Sequence, residues 1–162
     1  MDPADGDRQD RIRLTASRAL AAMQNGDEEG SLDRLAAVLR DGEGEAKDLM
    51  LLLFHECSAM VAELGSGGTA PVKMQVYDDE GHEVSIDDAD PPVRTAVRTL
   101  LAEVHGDSEA AAEQIEIALS NAEPDEMISV LVQALRWTIK LSAECLSRDL
   151  PVPEWISSAL ED

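Results

Sequence analysis

The sequence matches itself at a shift of 80 residues, and this match constrains the fold more than any other feature. Residues 13–29 align with residues 93–109, and eight positions carry the same amino acid in both segments. The pairs are Thr15/Thr95, Ala16/Ala96, Arg18/Arg98, Leu20/Leu100, Ala22/Ala102, Gly26/Gly106, Asp27/Asp107 and Glu29/Glu109. One further residue of shift then aligns Glu45 with Glu126, and Glu63 with Glu144. The match predicts an internal duplication.

Both copies have the apolar spacing of helices. In the first copy, apolar residues at Ile12, Ala16, Ala19, Leu20 and Met23 recur every three or four residues, as on one buried helical face. Apolar residues make up 44% of the chain and are mostly Ala and Leu, which lose little conformational freedom in a helix. We therefore expect a mainly α-helical protein.

A Gly-Asp pair separates the first two helices of each copy. We expect Gly26 and Gly106 to end one helix with a positive φ, because glycine adopts this conformation at little cost. Asp27 or Ser31 then caps the next helix of the first copy. Two three-helix units follow, over 11–64 and 91–146, packed as a helical bundle with approximate two-fold symmetry.

The remaining segments divide the chain further. Residues 1–10 are polar and are expected to be disordered. Residues 65–90 begin with a Gly-rich linker and continue with alternating apolar residues on either side of Asp79-Glu80-Gly81, which predicts a β-hairpin between the halves. The second unit, 91–162, ends in a short helix that carries Trp155. We expect all segments to form one compact domain.

The third predicted helix contains the apolar run Leu49-Met50-Leu51-Leu52-Leu53-Phe54, which covers every face of the helix. Such a helix lies at the centre of the bundle or in a homodimer interface. Cys57 and Cys145 fall in apolar stretches without a CxxC spacing, so they are expected to be buried and unbridged. We also expect Trp137 and Trp155 to be largely buried, with the last helix covering the open end of the bundle.

The charge of the chain limits its partners. Thirty-four acidic and 13 basic residues give a net charge of −21, and residues 74–93 contain no Lys or Arg. Nucleic acid and anionic membrane surfaces are therefore excluded as expected partners, because both are bound through clustered basic residues. No leader or membrane-spanning run is visible, so a cytoplasmic location is expected.

No motif for catalysis or for a cofactor is apparent. His55-Glu56 lacks the second His of a zinc-protease helix. The acidic segment around Gly81 places Val76 at the first position of an EF-hand loop, which excludes that calcium site. We expect no metal, no cofactor and no enzymatic activity.

Six residues are candidates for partner binding: Asp78, Asp79, Glu80, Asp87, Asp88 and Trp155. The carboxylates around the hairpin tip form a solvated turn, contact a basic protein or bind a cation. Trp155 either covers the core or anchors a partner. Arg18 and Arg98 either pair across the contact between the units, lie in solvent or bind a ligand.

The turn Gly-Asp-x-Glu-x-Ala at Gly106–Ala111, with Ile115 and Ala118 beyond it, resembles the turn between the helices of tetratricopeptide repeats. The repeat length differs, since such repeats recur about every 34 residues. The resemblance implies helical-hairpin packing and binding of a peptide or protein.

These features predict a non-enzymatic helical protein that acts through protein–protein contacts, in a regulatory role. Two alternatives remain open. An acidic decoy of nucleic acid would need carboxylates along one face. An enzyme or small-molecule binder would need a pocket between the two units with converging titratable groups.

Overall fold

The computed structural model describes residues 3–41, 43–65, 76–77, 80–85, 88–121 and 123–160. The described chain is mainly helical, as predicted. Its helices are α1 (Pro3–Gln24), α2 (Glu28–Asp41), α3 (Glu43–Leu64), α4 (Pro91–Val104), α5 (Ser108–Asn121), α6 (Pro124–Ser147) and α7 (Glu154–Leu160). Two short strands, β1 (Val76–Tyr77) and β2 (Glu83–Val84), lie between α3 and α4.

Helix α1 begins earlier than the sequence predicts. It starts at Pro3, whereas residues 1–10 were expected to be disordered and the first helix to begin near residue 11. Proline suits the first helical position because its missing N–H would have no partner there. Acidic residues are also favourable close to the positive end of the helix dipole. A polar composition therefore does not prevent helix formation in this segment.

The strands pair antiparallel, with Val76 opposite Val84 and Tyr77 opposite Glu83. Gly81, between them, has a φ of 84°, in the left-handed region. Val84 packs near the small apolar cluster of Ala89 and Val97, so this segment rests on α4. The predicted strand positions at 72, 74 and 86 lie outside the described residues.

The α1–α2 and α4–α5 turns have the same backbone conformation. Gly26 has a φ of 82° and Gly106 a φ of 77°, which confirms the prediction of a positive φ at both glycines. The following N–H of Asp27 donates to the carbonyl of Ala22 at 2.8 Å, and that of Asp107 to Ala102 at 2.9 Å. This is the hydrogen bond of a helix that ends in a left-handed residue.

The aspartate of each turn caps the next helix. Asp27 Oδ1 accepts a hydrogen bond from the Gly30 N–H at 3.0 Å, and Asp107 Oδ1 accepts one from the Ala110 N–H at the same distance. Ser31 has another role, since it is buried and its hydroxyl donates to the carbonyl of Ala19 at 3.3 Å. Of the two predicted caps of α2, Asp27 is the one observed.

Helices α3 and α6 form the centre of the molecule and pack against each other more extensively than any other pair. The apolar run of α3 supplies much of the core, including Leu49, Leu53 and Phe54. The Phe54 ring meets the Trp137 ring edge-on, with 6.3 Å between the ring centroids. Cys57 and Cys145 are both buried and free, as predicted.

Helix α7 packs mainly against α1 and to a smaller extent against α6. Ile156 is fully buried there, whereas Trp155 and Trp137 are each only half-buried. The two tryptophans are thus less buried than predicted, because one edge of each large ring stays at the helix surface. The aliphatic side chain next to Trp155 fills the gap against α1 instead.

In the part of the chain that the structure describes, every helix is too short or too polar to cross a lipid bilayer.

Candidate functional site

The predicted partner-binding residues are only partly within the described chain. Asp78, Asp79 and Asp87 lie outside it. Glu80 and Asp88 are exposed, and the Asp88 carboxylate accepts a hydrogen bond from the Ser85 hydroxyl at 2.9 Å. Trp155 lies on α7 against α1, whereas the two carboxylates adjoin β2 and the start of α4. These residues belong to separate elements and outline no single cleft.

Two other clefts have closely corresponding linings. The first cleft, of about 510 Å³, lies among α1, α2 and α3 and is lined by Arg11, Ile12, Leu14, Thr15, Arg18, Val38, Glu45 and Leu49. The second cleft, of about 280 Å³, lies among α4, α5 and α6. It is lined by Pro91, Pro92, Arg94, Thr95, Arg98, Gln114, Ile117, Ala118, Asn121, Glu126, Met127 and Val130.

Every residue of the first cleft has its counterpart in the second at a shift of 80 or 81 residues. Three counterparts are identical and polar: Thr15 and Thr95, Arg18 and Arg98, and Glu45 and Glu126. Their exposure also corresponds, because both threonines and both glutamates are half-buried and both arginines are exposed. The two clefts therefore present the same three polar groups from corresponding helices.

The clefts combine charge with apolar surface. Each contains two arginines and one glutamate, although the whole chain carries a charge of −21. Leu49 and its counterpart Val130 are buried at the cleft floors. Leu14 in the first cleft is 49% exposed and Ile117 in the second is 57% exposed. Most of the large apolar side chains that the described chain exposes to this extent therefore line a cleft.

The polar groups of the first cleft are only partly engaged. The Arg11 guanidinium lies 3.6 Å from the Glu45 carboxylate, and the Thr15 hydroxyl donates to the Arg11 carbonyl at 3.0 Å. Arg18 makes no side-chain hydrogen bond or ion pair with any residue in the described ranges, so the predicted pairing between the units is not observed for it. In the second cleft, Arg94 and Arg98 both interact with other groups of the chain.

A third, central cleft lies between the first three helices and the next three. It is lined by Gln9, Asp48, Leu51, Leu52, His55, Glu103 and Ser108 and has a volume of about 320 Å³. His55 Nδ1 lies 3.1 Å from Glu103 Oε2, and the Glu103 side chain is only 4% exposed. The sequence nominated no titratable groups here, because the pair joins two helices that are distant in sequence.

The cysteines offer no nucleophile. Burial raises the pKa of the Cys57 thiol to about 12, against a weaker lowering by its hydrogen bond to Thr138. Burial also raises the pKa of Cys145. Both thiols therefore stay protonated near neutral pH, and only a thiolate attacks efficiently. Among the residues that the structure describes, no group of His, Cys, Asp or Glu has the arrangement of a metal site.

Exposed carboxylates occur on six of the seven helices. They include Asp10 on α1, Glu29 on α2, Glu63 on α3, Glu113 on α5, Asp125 on α6 and Glu154 on α7. Negative charge is thus distributed over the surface of the described chain.

No known protein family, curated protein or solved structure matches this chain significantly. The function therefore has to follow from the chemistry of the clefts.

Proposed function

We propose that this chain is an internally duplicated, non-enzymatic protein of the cytoplasm that binds segments of a protein partner in its first and second clefts. The observation that carries this proposal is the presence of the same threonine, arginine and glutamate in both. The proposed role is regulatory, with each unit of one chain holding one segment of the partner.

The matched turns and the contacts at the molecular centre support the duplication. Cys57 Sγ lies 3.3 Å from Thr138 Oγ1, and these residues are counterparts at a shift of 81. Counterparts can touch each other only where they lie close to the axis that relates the two copies. His55 and Arg136 are also counterparts, and each forms an ion pair with the other unit, at Glu103 and Glu28 respectively.

The identical polar residues of the clefts have no evident folding role. Identity at Leu20 and Leu100 follows from core packing, and identity at the Gly-Asp turns follows from helix capping. Other positions on the same helices have diverged, such as Arg13 and Ser17, whose counterparts are Val93 and Val97. Binding of similar ligands by both units would explain why Thr15, Arg18 and Glu45 recur in the second copy.

The apolar residues of the clefts favour a protein segment as the ligand. Leu14 and Ile117 expose apolar surface beside a buried apolar floor, and covering such surface is the main driving force of most protein association. Two sites in one chain also make the binding of a dimeric or repetitive partner stronger, because the second contact becomes intramolecular.

The alternative functions have less support. Carboxylates spread over six helices do not form the single acidic face that a decoy of nucleic acid needs. In the central cleft, the His55–Glu103 pair has a structural explanation, since a carboxylate that is 4% exposed needs a hydrogen-bonded partner. The apolar residues of that cleft, Leu51 and Leu52, add no further polar group that would bind a substrate.

The proposal is tested by capturing partners from native cytosol on the immobilised chain, at low and moderate salt. The variants are Arg18→Glu, Arg98→Glu and the double substitution. The controls are Arg13→Glu on α1 and Lys140→Glu on α6, which make the same charge change at exposed positions outside the clefts. Circular dichroism verifies that each variant keeps its helical content.

We expect one partner to be reduced on each single variant, lost from the double variant and retained on both controls. Its capture should persist at moderate salt, because salt screens surface charges but does not weaken apolar contacts. Retention of every partner by the double variant would contradict the proposal. Loss with salt alone, at equal levels on all variants, would instead favour the acidic segment near Glu80 and Asp88.

A further inference from the structure

The clefts also indicate what kind of segment they take, an inference that rests on the proposed function. We infer that each cleft binds an apolar segment carrying a single carboxylate, which pairs with Arg18 in the first cleft and with Arg98 in the second.

The charge count within each cleft supports this inference. The first cleft contains Arg11, Arg18 and Glu45, and the second contains Arg94, Arg98 and Glu126, so each has a net charge of +1. The Arg11–Glu45 pair, at 3.6 Å, neutralises two of the three charges in the first cleft and leaves the Arg18 guanidinium. One carboxylate is the group that completes each cleft, because arginine presents paired donors that match its two oxygens.

The second arginine of each cleft strengthens the case. Arg11 has Pro91 as its counterpart, and Arg94 has Leu14. The two clefts therefore take their second guanidinium from different positions along the first helix of each unit, yet both contain two. Because the positions differ, descent from a common unit does not explain the matching number. A shared requirement for positive charge does.

The surroundings restrict the rest of the ligand. The buried floors at Leu49 and Val130 suit apolar side chains next to the carboxylate. A highly acidic segment is disfavoured, because the chain as a whole carries a charge of −21 and would repel it. A single negative charge among apolar residues meets both conditions.

The probe for this inference is the peptide acetyl-Leu-Leu-Asp-Leu-Leu-amide, titrated into the full chain labelled with ¹⁵N. Its asparagine counterpart has the same shape without the charge. Backbone amide signals of residues 11–18 and 91–98 report on the two clefts separately. The protein variants are Arg18→Gln and Arg98→Gln, and Arg13→Gln is the matched control.

We expect the aspartate peptide to shift the signals of both clefts and the asparagine peptide to bind about tenfold more weakly, because a hydrogen bond to a charged group contributes roughly that factor. Arg18→Gln should remove the preference for aspartate in the first cleft only, and Arg98→Gln in the second only. Arg13→Gln should change neither.

Equal binding of both peptides in the clefts would overturn the inference about the carboxylate and leave the binding function standing. Binding of neither peptide, or shifts outside the clefts alone, would also overturn it. The proposed function itself fails separately, when the double arginine variant retains every partner captured from cytosol.

Discussion

Two residues with a left-handed backbone end the first helix of each unit. Gly26 and Gly106 have φ values of +82° and +77°, and an added Cβ would meet no atom within 4 Å at either position. A Gly106→Ala substitution should therefore act through backbone strain alone and lower the free energy of unfolding by on the order of 1 kcal/mol. Urea denaturation measures this loss.

Gly106→Asn is the matched control, because asparagine tolerates the left-handed conformation better than alanine does. It should lose less stability than Gly106→Ala. Equal stability of the alanine variant and the original chain would show that the turn is not strained by a side chain.

A buried thiol makes the stability of the fold depend on pH in the alkaline range. The pKa of Cys57 is about 12 in the folded chain, against 9.0 for an ordinary thiol, because burial disfavours the thiolate. Between these values the folded state holds a proton that the unfolded state has lost. Stability from this group is thus complete below pH 9 and falls as pH rises towards 12.

The expected effect is a loss of about 1.4 kcal/mol between roughly pH 8 and pH 10, in excess of any loss seen in the Cys57→Ala variant. The comparison is between slopes, since the substitution itself costs some packing. Urea unfolding at a series of pH values measures both proteins. Parallel pH profiles for the two would contradict the burial of this thiol.

At the level of elements, α7 is held to α1 by one side chain above all. Ile156 is fully buried, whereas Ser158 on the same helix is exposed. We expect Ile156→Ala to cost about 2–5 kcal/mol, because it removes buried methyl groups and leaves a cavity. Ser158→Ala should change stability by less than about 0.5 kcal/mol.

Urea denaturation distinguishes these outcomes, and Trp155 fluorescence reports on α7 directly. A small loss for Ile156→Ala, with indole emission like that of tryptophan in water, would show that α7 is detached. The tail would then be available as a partner anchor, which is the alternative role that the sequence suggests for Trp155.

The helices were largely predictable because their signals are local. Pro91 and Pro124 mark the starts of α4 and α6, and the Gly-Asp turns mark the ends of α1 and α4. The start of α1 was missed because a polar, acidic segment resembles a disordered one in composition. The half-burial of Trp137 and Trp155 was also missed, since ring exposure depends on the shapes of neighbouring helices.

The clefts were not predictable as cavities. They arise where three helices meet, and the sequence does not give the gaps between side chains. One signal was nevertheless present: Thr15, Arg18 and Glu45 recur in the second copy without a capping or core role. The acidic hairpin and Trp155 attracted attention instead, because unusual composition is easier to recognise than a recurring polar set.

At the scale of the whole molecule, the proposed duplication does not imply that one unit folds alone. The α3–α6 contact is the most extensive in the structure, and it joins the two proposed units. Leu53, Phe54 and Cys57 of α3 are fully buried, as are Leu131 and Leu135 of α6. Separating the units would expose this apolar surface to water, at about 25 cal/mol for each Å².

We therefore expect a fragment of residues 3–65 to lack cooperative unfolding on its own, and a fragment of residues 80–160 to behave in the same way. Mixing the two should restore helical content and dispersed amide signals, because each supplies the apolar face that the other lacks. Circular dichroism and ¹⁵N spectra of the separate and mixed fragments measure this.

A matched control is the mixture in which Leu53 is changed to Asp, because a carboxylate in the α3–α6 contact would have no partner and should prevent association. A fragment 3–65 that unfolds cooperatively by itself would contradict the prediction. The two units would then be independent domains joined by a linker, and the contact between Cys57 and Thr138 would contribute little to stability.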